Sequence, residues 1–136
     1  MPERVIETLR LRESDVVADI GAGTGYFSRR FARQVAHVYA EDVDPEALSF
    51  LRREALAKVT VVPGKPENPM LPPNSSNVVF ICDVLHIVKN RPAFLSNIIP
   101  ALKPGPEGGD NRFLFGALAD TQQATNKKRM VFLPQL

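Results

Sequence analysis

Asp19 is followed by glycines at alternate positions, Gly21, Gly23 and Gly25, and a further carboxylate, Asp42, stands later in the chain. A stretch without side chains can turn sharply and lets a ligand approach the backbone closely. An ionised carboxylate can take hydrogen bonds from two neighbouring hydroxyls, and its charge strengthens both. Glycine loop and acid together describe a site for a nucleotide-type ligand, with the acid placed for a pair of ribose hydroxyls.

The flanking residues supply the elements that would hold such a site. Val16, Val17, Ala18 and Ile20 form a short, β-branched, apolar run, the signature of a central parallel strand. After the glycines, Phe27, Phe31 and Val35 recur at helical spacing, with Arg29, Arg30 and Arg33 on the other side, so an amphipathic helix is expected. Residues 38–42 read as a second strand, with Val38, Ala40 and Asp42 on one face. By that parity Asp42 is preferred for the hydroxyl pair, and its competitor Glu41 faces the other way. Asp44 and Pro45 mark a helix start, and Ala47, Leu48, Leu51 and Ala55 mark its buried side. Strands are further expected at 59–62 and 77–82. The stretch 63–76 is too rich in proline, glycine and asparagine to be more than a loop with at most one helical turn. Pro92 opens a helix with Phe94, Leu95, Ile98, Ile99 and Leu102 on its apolar side, which Pro100 should kink or interrupt. Pro2, Val5, Ile6 and Leu9 suggest a short N-terminal helix. Strands alternating with helices predict a three-layer α/β fold, a doubly wound and mostly parallel sheet.

The glycine spacing narrows the ligand. The dinucleotide fingerprint requires glycine at position 26, where this chain has Tyr26. The run Asp19-Ile20-Gly21-Ala22-Gly23-Thr24-Gly25 instead resembles the first motif of class I S-adenosylmethionine-dependent methyltransferases. The run Asp42-Val43-Asp44-Pro45-Glu46-Ala47-Leu48 resembles the segment in which that family's first acid holds the ribose. The resemblance implies a Rossmann-like core with S-adenosylmethionine as cofactor, acting on a small-molecule methyl acceptor, as in the quinone and sterol C-methyltransferases. It places Asp19, Gly21, Ala22, Gly23 and Gly25 at the methionine end and Asp42 and Val43 at the ribose. Cys82 and Asp83 would flank the adenosyl or methyl side. Asp83 and His86 are the candidates for a catalytic role, His86 because imidazole titrates near neutrality; a helix cap and a packed ring are the plainer readings.

The chain departs from the pattern in three places. Relatives commonly carry an Asp for the adenine amino group after the third strand, within Gly-Asp-Ala-Glu. Here the run is Gly64-Lys65-Pro66-Glu67. Lysine cannot accept a hydrogen bond, which leaves Glu67 as the substitute. The Asp that often starts the fourth strand is Asn77. The likeness also stops at Gly105, after residues 3 to 105. Beyond it the sequence offers one strand at 112–118 and a polar tail, so the expected division is a cofactor-binding core at 1–118 and a tail at 119–136, disordered or swapped. A shortened core lacking the last strands would leave the fifth strand as an open edge, available for a homodimer.

With 136 residues, 44% of them apolar, the chain suits one compact domain. A net charge of +2 gives no argument for nucleic acid, and Lys127, Lys128 and Arg129 read as a solvated cluster. The one cysteine rules out an internal disulfide. A reducing cytoplasm fits, and neither a membrane span nor a signal peptide is visible. No metal-ligand cluster or catalytic triad stands out. A catalytically silent fold that binds cofactor, or only a partner protein, is the alternative from another class. A nicotinamide-dependent dehydrogenase is the third reading, opposed by Tyr26 and by the lack of a Tyr-x-x-x-Lys pair.

Overall fold

The structure is a computed structural model and describes residues 6, 7, 9–82, 88–103, 112–116 and 129–132. In chain order the elements are β1 (Val16–Ile20), α1 (Ser28–Phe31), β2 (His37–Asp42), α2 (Pro45–Glu54), β3 (Val59–Pro63), β4 (Val78–Cys82), α3 (Arg91–Ile98), β5 (Arg112–Gly116) and β6 (Arg129–Phe132). The strands form one sheet in the order β3-β2-β1-β4-β5-β6, and each neighbouring pair is parallel. The chain moves outward from β1 to β3, then returns to place β4 on the other side of β1. That reversal opens a crevice at the carboxyl ends of β1 and β4, where open α/β sheets bind ligands.

β4 is apolar along its length, and β1 is apolar apart from Asp19, because both faces are covered. On one face Val17, Val38, Val78 and Phe80 pack with Leu9, Phe31 and Val35. On the other, Ala18, Ile20, Val79 and Ile81 meet Phe94, Ile98 and Leu102. Phe80 joins the first layer through rings, with Phe27 at 4.9 Å and Phe31 edge-on at 5.1 Å. Such tilted pairs contribute roughly 0.5–1.5 kcal/mol beyond area burial. Ile6 packs against this cluster; most of the expected N-terminal helix lies outside the described residues.

Several elements differ from expectation for identifiable reasons. The helix after the glycines is one turn, Ser28–Phe31, and then tightens: Arg33 and Gln34 donate to the carbonyls of Arg30 and Phe31. Val35 still reaches the core, so the apolar spacing survives the change of winding. α2 starts as expected, with the Asp44 side chain accepting the Glu46 N–H at 3.0 Å and Pro45 in the first turn. Ala55, expected on its buried side, is exposed and left-handed at φ 45°, where it ends the helix. α3 gives way at Ile99 to a 3₁₀ turn, Ile99–Ala101, at the proline. The tighter winding rotates Ile99 outward to 53% exposure, while Ile98 and Leu102 stay inside.

The fifth strand is not the open edge expected. Arg129–Phe132, inside the expected polar tail, forms β6 and pairs with β5 from Arg112↔Arg129 to Phe115↔Phe132. Lys127 and Lys128 lie outside the described residues.

Candidate functional site

The glycine loop leaves β1 in left-handed geometry, with φ of 70° at Gly21, 59° at Gly23 and 84° at Gly25. Two of these positions have separate physical reasons. A Cβ on Gly25 would lie 2.8 Å from the Leu51 methyl Cδ2, so this glycine lets α2 pack beneath the loop. A Cβ on Gly23 would meet none of the described residues within 4 Å. The backbone at Gly23 therefore borders open space.

The loop is tied to the end of β2 rather than to its own strand. The Ala22 N–H donates to the Glu41 carbonyl at 2.8 Å, and the Gly23 N–H donates to Asp42 Oδ2 at 2.8 Å. Asp42 Oδ1 takes the Asp44 N–H at 2.9 Å. Each Asp42 oxygen thus has one backbone donor and retains accepting capacity. Val43, next in the chain, is 48% exposed and offers an apolar surface beside that carboxylate. An open groove of about 600 Å³ runs from Gly23 and Thr24 along the first turn of α2 to Arg53.

Two more acids stand behind the loop. Asp19 is 2% exposed and accepts the Ser28 hydroxyl at 2.6 Å, which fastens the start of α1 to β1. Burial pushes its carboxyl up to about 7; the Asp42 charge adds to the rise and the Ser28 hydrogen bonds oppose it. Glu41 is 3% exposed, and burial pushes it up to about 8. The nearby Gly21 backbone opposes that rise, and the charges of Asp42 and Asp19 add to it. Strand parity does turn Glu41 away from Asp42, yet toward the interior rather than solvent.

The expected site residues thus fall into groups. Asp19, Gly21, Ala22, Gly23, Gly25, Asp42 and Val43 come together at the carboxyl ends of β1 and β2. Cys82 closes β4, opposite Gly116 of β5. Asp83 and His86 lie outside the described residues. Glu67 is exposed, and its carbonyl accepts the Asn97 side-chain amide at 2.8 Å. Tyr26 is 48% exposed, with the Arg30 guanidinium 4.0 Å above its ring. His37 bonds Thr60 Oγ1 at 2.7 Å and touches Tyr39, a structural contact.

Sequence reasoning missed three features: the Ser28 partner of Asp19, the contact between Glu41 and Gly64, and the role of Asn77. Asn77 Nδ2 donates to Asp15 Oδ1 at 2.7 Å while its Oδ1 accepts the Val16 N–H at 2.6 Å. An ionised Asp at 77 could not donate to Asp15. Its nearest sequence signal is the polar residue directly before an apolar strand.

Comparison with known proteins agrees with this geometry. A family described as a methyltransferase domain matches residues 17–105, and the chain belongs to it. The ubiquinone/menaquinone biosynthesis C-methyltransferase UbiE of Neisseria meningitidis is 30% identical over 106 residues, covering 74% of this chain and 43% of that protein. The biotin biosynthesis bifunctional protein BioHC of Cellvibrio japonicus is 28% identical over 106 residues, covering 78% of this chain and 21% of that one. The chain therefore spans less than half the length of these relatives. Among solved structures, a SAM-dependent methyltransferase from Aquifex aeolicus superposes with a TM-score of 0.68 at 26% identity, over 76% of this chain and 58% of its own. S-adenosylmethionine is the cofactor that family and fold imply. The residues present fit it: open space over Gly23, remaining accepting capacity on Asp42 and an exposed apolar Val43 are what its polar and adenosyl parts require.

Among the described residues no helix is long and apolar enough to cross a membrane. Among the same residues no cluster of His, Cys, Asp and Glu could hold a metal ion.

Proposed function

We propose that this chain binds S-adenosylmethionine at the carboxyl ends of β1 and β2 and transfers its methyl group to a small-molecule acceptor. The observation carrying this reading is the Asp42 carboxylate, fixed by two backbone N–H groups beside the open face of Gly23. Asp42 takes the ribose hydroxyls, and Val43 packs on the adenine. The backbone of Gly21, Ala22, Gly23 and Gly25 borders the methionine end. Asp19, whose carboxyl is taken by Ser28, orients the ammonium group through an intervening water. Cys82 and Asp83 flank the methyl side, with Asp83 and His86 as the candidate proton acceptors. Glu67 remains the candidate for the adenine amino group, through its exposed side chain.

When bound, the cofactor supplies a methyl group already activated on a positively charged sulfur. The chain's task is then to hold the acceptor in line and exclude water, and such positioning can supply roughly 7–11 kcal/mol of barrier lowering. No nucleophilic side chain is required. UbiE is by its name a ubiquinone/menaquinone C-methyltransferase, which supports a small organic acceptor here. We place the protein in the cytoplasm, with no nucleic acid partner, and assign any homodimer to an outer edge of the sheet.

Lys65 favours a second reading, a fold that binds the cofactor without transferring its methyl, because it stands where relatives place an acceptor for adenine. Calorimetric titration with S-adenosylmethionine tests the first step; absence of heat ends both readings. Radiolabelled methyl transfer into a cell extract then separates them.

A further inference from the structure

Glu41 occupies a position that calls for an apolar residue. Its strand neighbours are Ile20 on β1 and Val62 on β3, both buried. A carboxyl placed there costs stability, and the cost is visible: Oε2 is buried with no hydrogen-bond partner among the described residues. A buried polar atom left unpaired in a folded protein calls for an explanation.

The surroundings supply one. On one side the Glu41 carboxyl faces the backbone of Gly21, the first residue of the glycine loop. On the other it lies against Gly64, which opens the turn after β3: a Cβ added to Gly64 would sit 2.5 Å from Oε2 and 2.8 Å from Cδ. Gly64 is not among the residues with positive φ, so its backbone would accept a side chain; the carboxyl is what excludes one. The main chain repeats the arrangement, since Ala22 N–H donates to Glu41 O and Gly64 N–H donates to Asp42 O at 3.0 Å.

We infer that Glu41 is a positioning residue of the cofactor site, a buried spacer that holds the glycine loop and the Gly64 turn at the separation the cofactor requires. This rests on the cofactor reading above. Its buried acid is retained at the expense of fold stability, the pattern expected where function opposes stability.

The test exploits effects of opposite sign. Wild type, Glu41→Val, Glu41→Gln, Gly64→Ala and the Glu41→Val/Gly64→Ala double variant are titrated with S-adenosylhomocysteine and melted in parallel. Glu41→Val should melt at a higher temperature yet bind at least tenfold more weakly. Glu41→Gln keeps the shape and a carbonyl acceptor beside the loop, and should bind within about threefold of wild type. Gly64→Ala should weaken binding in wild type and add no further loss to Glu41→Val. Unchanged affinity in Glu41→Val, equal losses in Val and Gln variants, or a Glu41→Val chain that melts earlier or does not fold would each overturn the inference. If wild type itself binds neither S-adenosylmethionine nor its demethylated product, the functional reading fails separately. Glu41 is then judged by hydrogen exchange at Gly21 and Gly23: at least tenfold faster exchange in Glu41→Val supports the spacer, and equal rates refute it.

Discussion

The two ends of the sheet treat buried acids in opposite ways. At the amino end of β1, Asp15 is buried with both carboxyl oxygens bonded, to the Arg12 N–H at 2.7 Å and to Asn77 Nδ2 at 2.7 Å. Asn77 closes the circuit by accepting the Val16 N–H. At the carboxyl end, Asp19 and Glu41 are equally buried, but Glu41 keeps an oxygen without a partner among the described residues and both carboxyls are driven toward their neutral forms. A fully satisfied polar network staples strands together. An incompletely satisfied one marks the end where backbone has been left open for something else to bind. Stability and ligand binding should therefore separate along the strand axis.

The largest effect that would test this separation is pH-dependent. Asp19 and Glu41 hold protons in the folded chain up to about pH 7 and about pH 8, whereas the unfolded chain releases them near their ordinary values of 3.8 and 4.5. Between those limits the folded state binds more protons, so stability is greatest below the ordinary values and falls as pH rises through the window. A tenfold difference in proton affinity between folded and unfolded chain corresponds to about 1.4 kcal/mol, so the loss should amount to several kcal/mol across the window. Denaturant melts from pH 5 to pH 8 measure it, and the Asp19→Asn/Glu41→Gln chain should show a much flatter profile. A steep slope persisting in that double variant would place the titrating groups elsewhere.

Next in size, Asn77→Ala should cost about 2–4 kcal/mol, since it strands both a buried carboxyl oxygen and a backbone N–H. Its cofactor affinity, measured on the folded fraction, should stay within about twofold of wild type. Asp42→Ala should do the reverse: affinity for S-adenosylmethionine drops more than tenfold, about 1.4 kcal/mol, with little change in melting temperature. Calorimetry and circular dichroism on the two variants together either uphold or erase the contrast between the ends. The smallest effect is Asp44→Ala, which removes the side-chain cap of α2 and should cost about 1 kcal/mol of stability. Guanidinium unfolding resolves a change of that size.

Much of this arrangement was legible before any coordinates. Alternating glycines, an apolar strand before them and an acid after the next strand are local patterns, and each is read through backbone freedom or side-chain period alone. Asp44-Pro45 as a helix start is of the same kind, since a cap acts within one turn. Pro100 was legible as an interruption, but the outward rotation of Ile99 was not, because it depends on how tightly the chain winds after the break. Parity alone turned Glu41 away from Asp42; it could not reveal that the far face at that point is closed by Gly64. The strand at 129–132 escaped notice because a short edge strand draws its stability from pairing with β5 rather than from its own residues.

Local chemistry therefore carried the class of ligand and the positions of the first five strands along the chain, because both are written in near neighbours and in periods of two and three to four residues. The burial of Asp19 and Glu41, the Asn77 bridge to Asp15 and the contact between Glu41 and Gly64 are of another kind. They join residues far apart in the chain, and their energetics depend on how much water the folded packing removes around each carboxyl, a quantity that no single stretch of sequence contains.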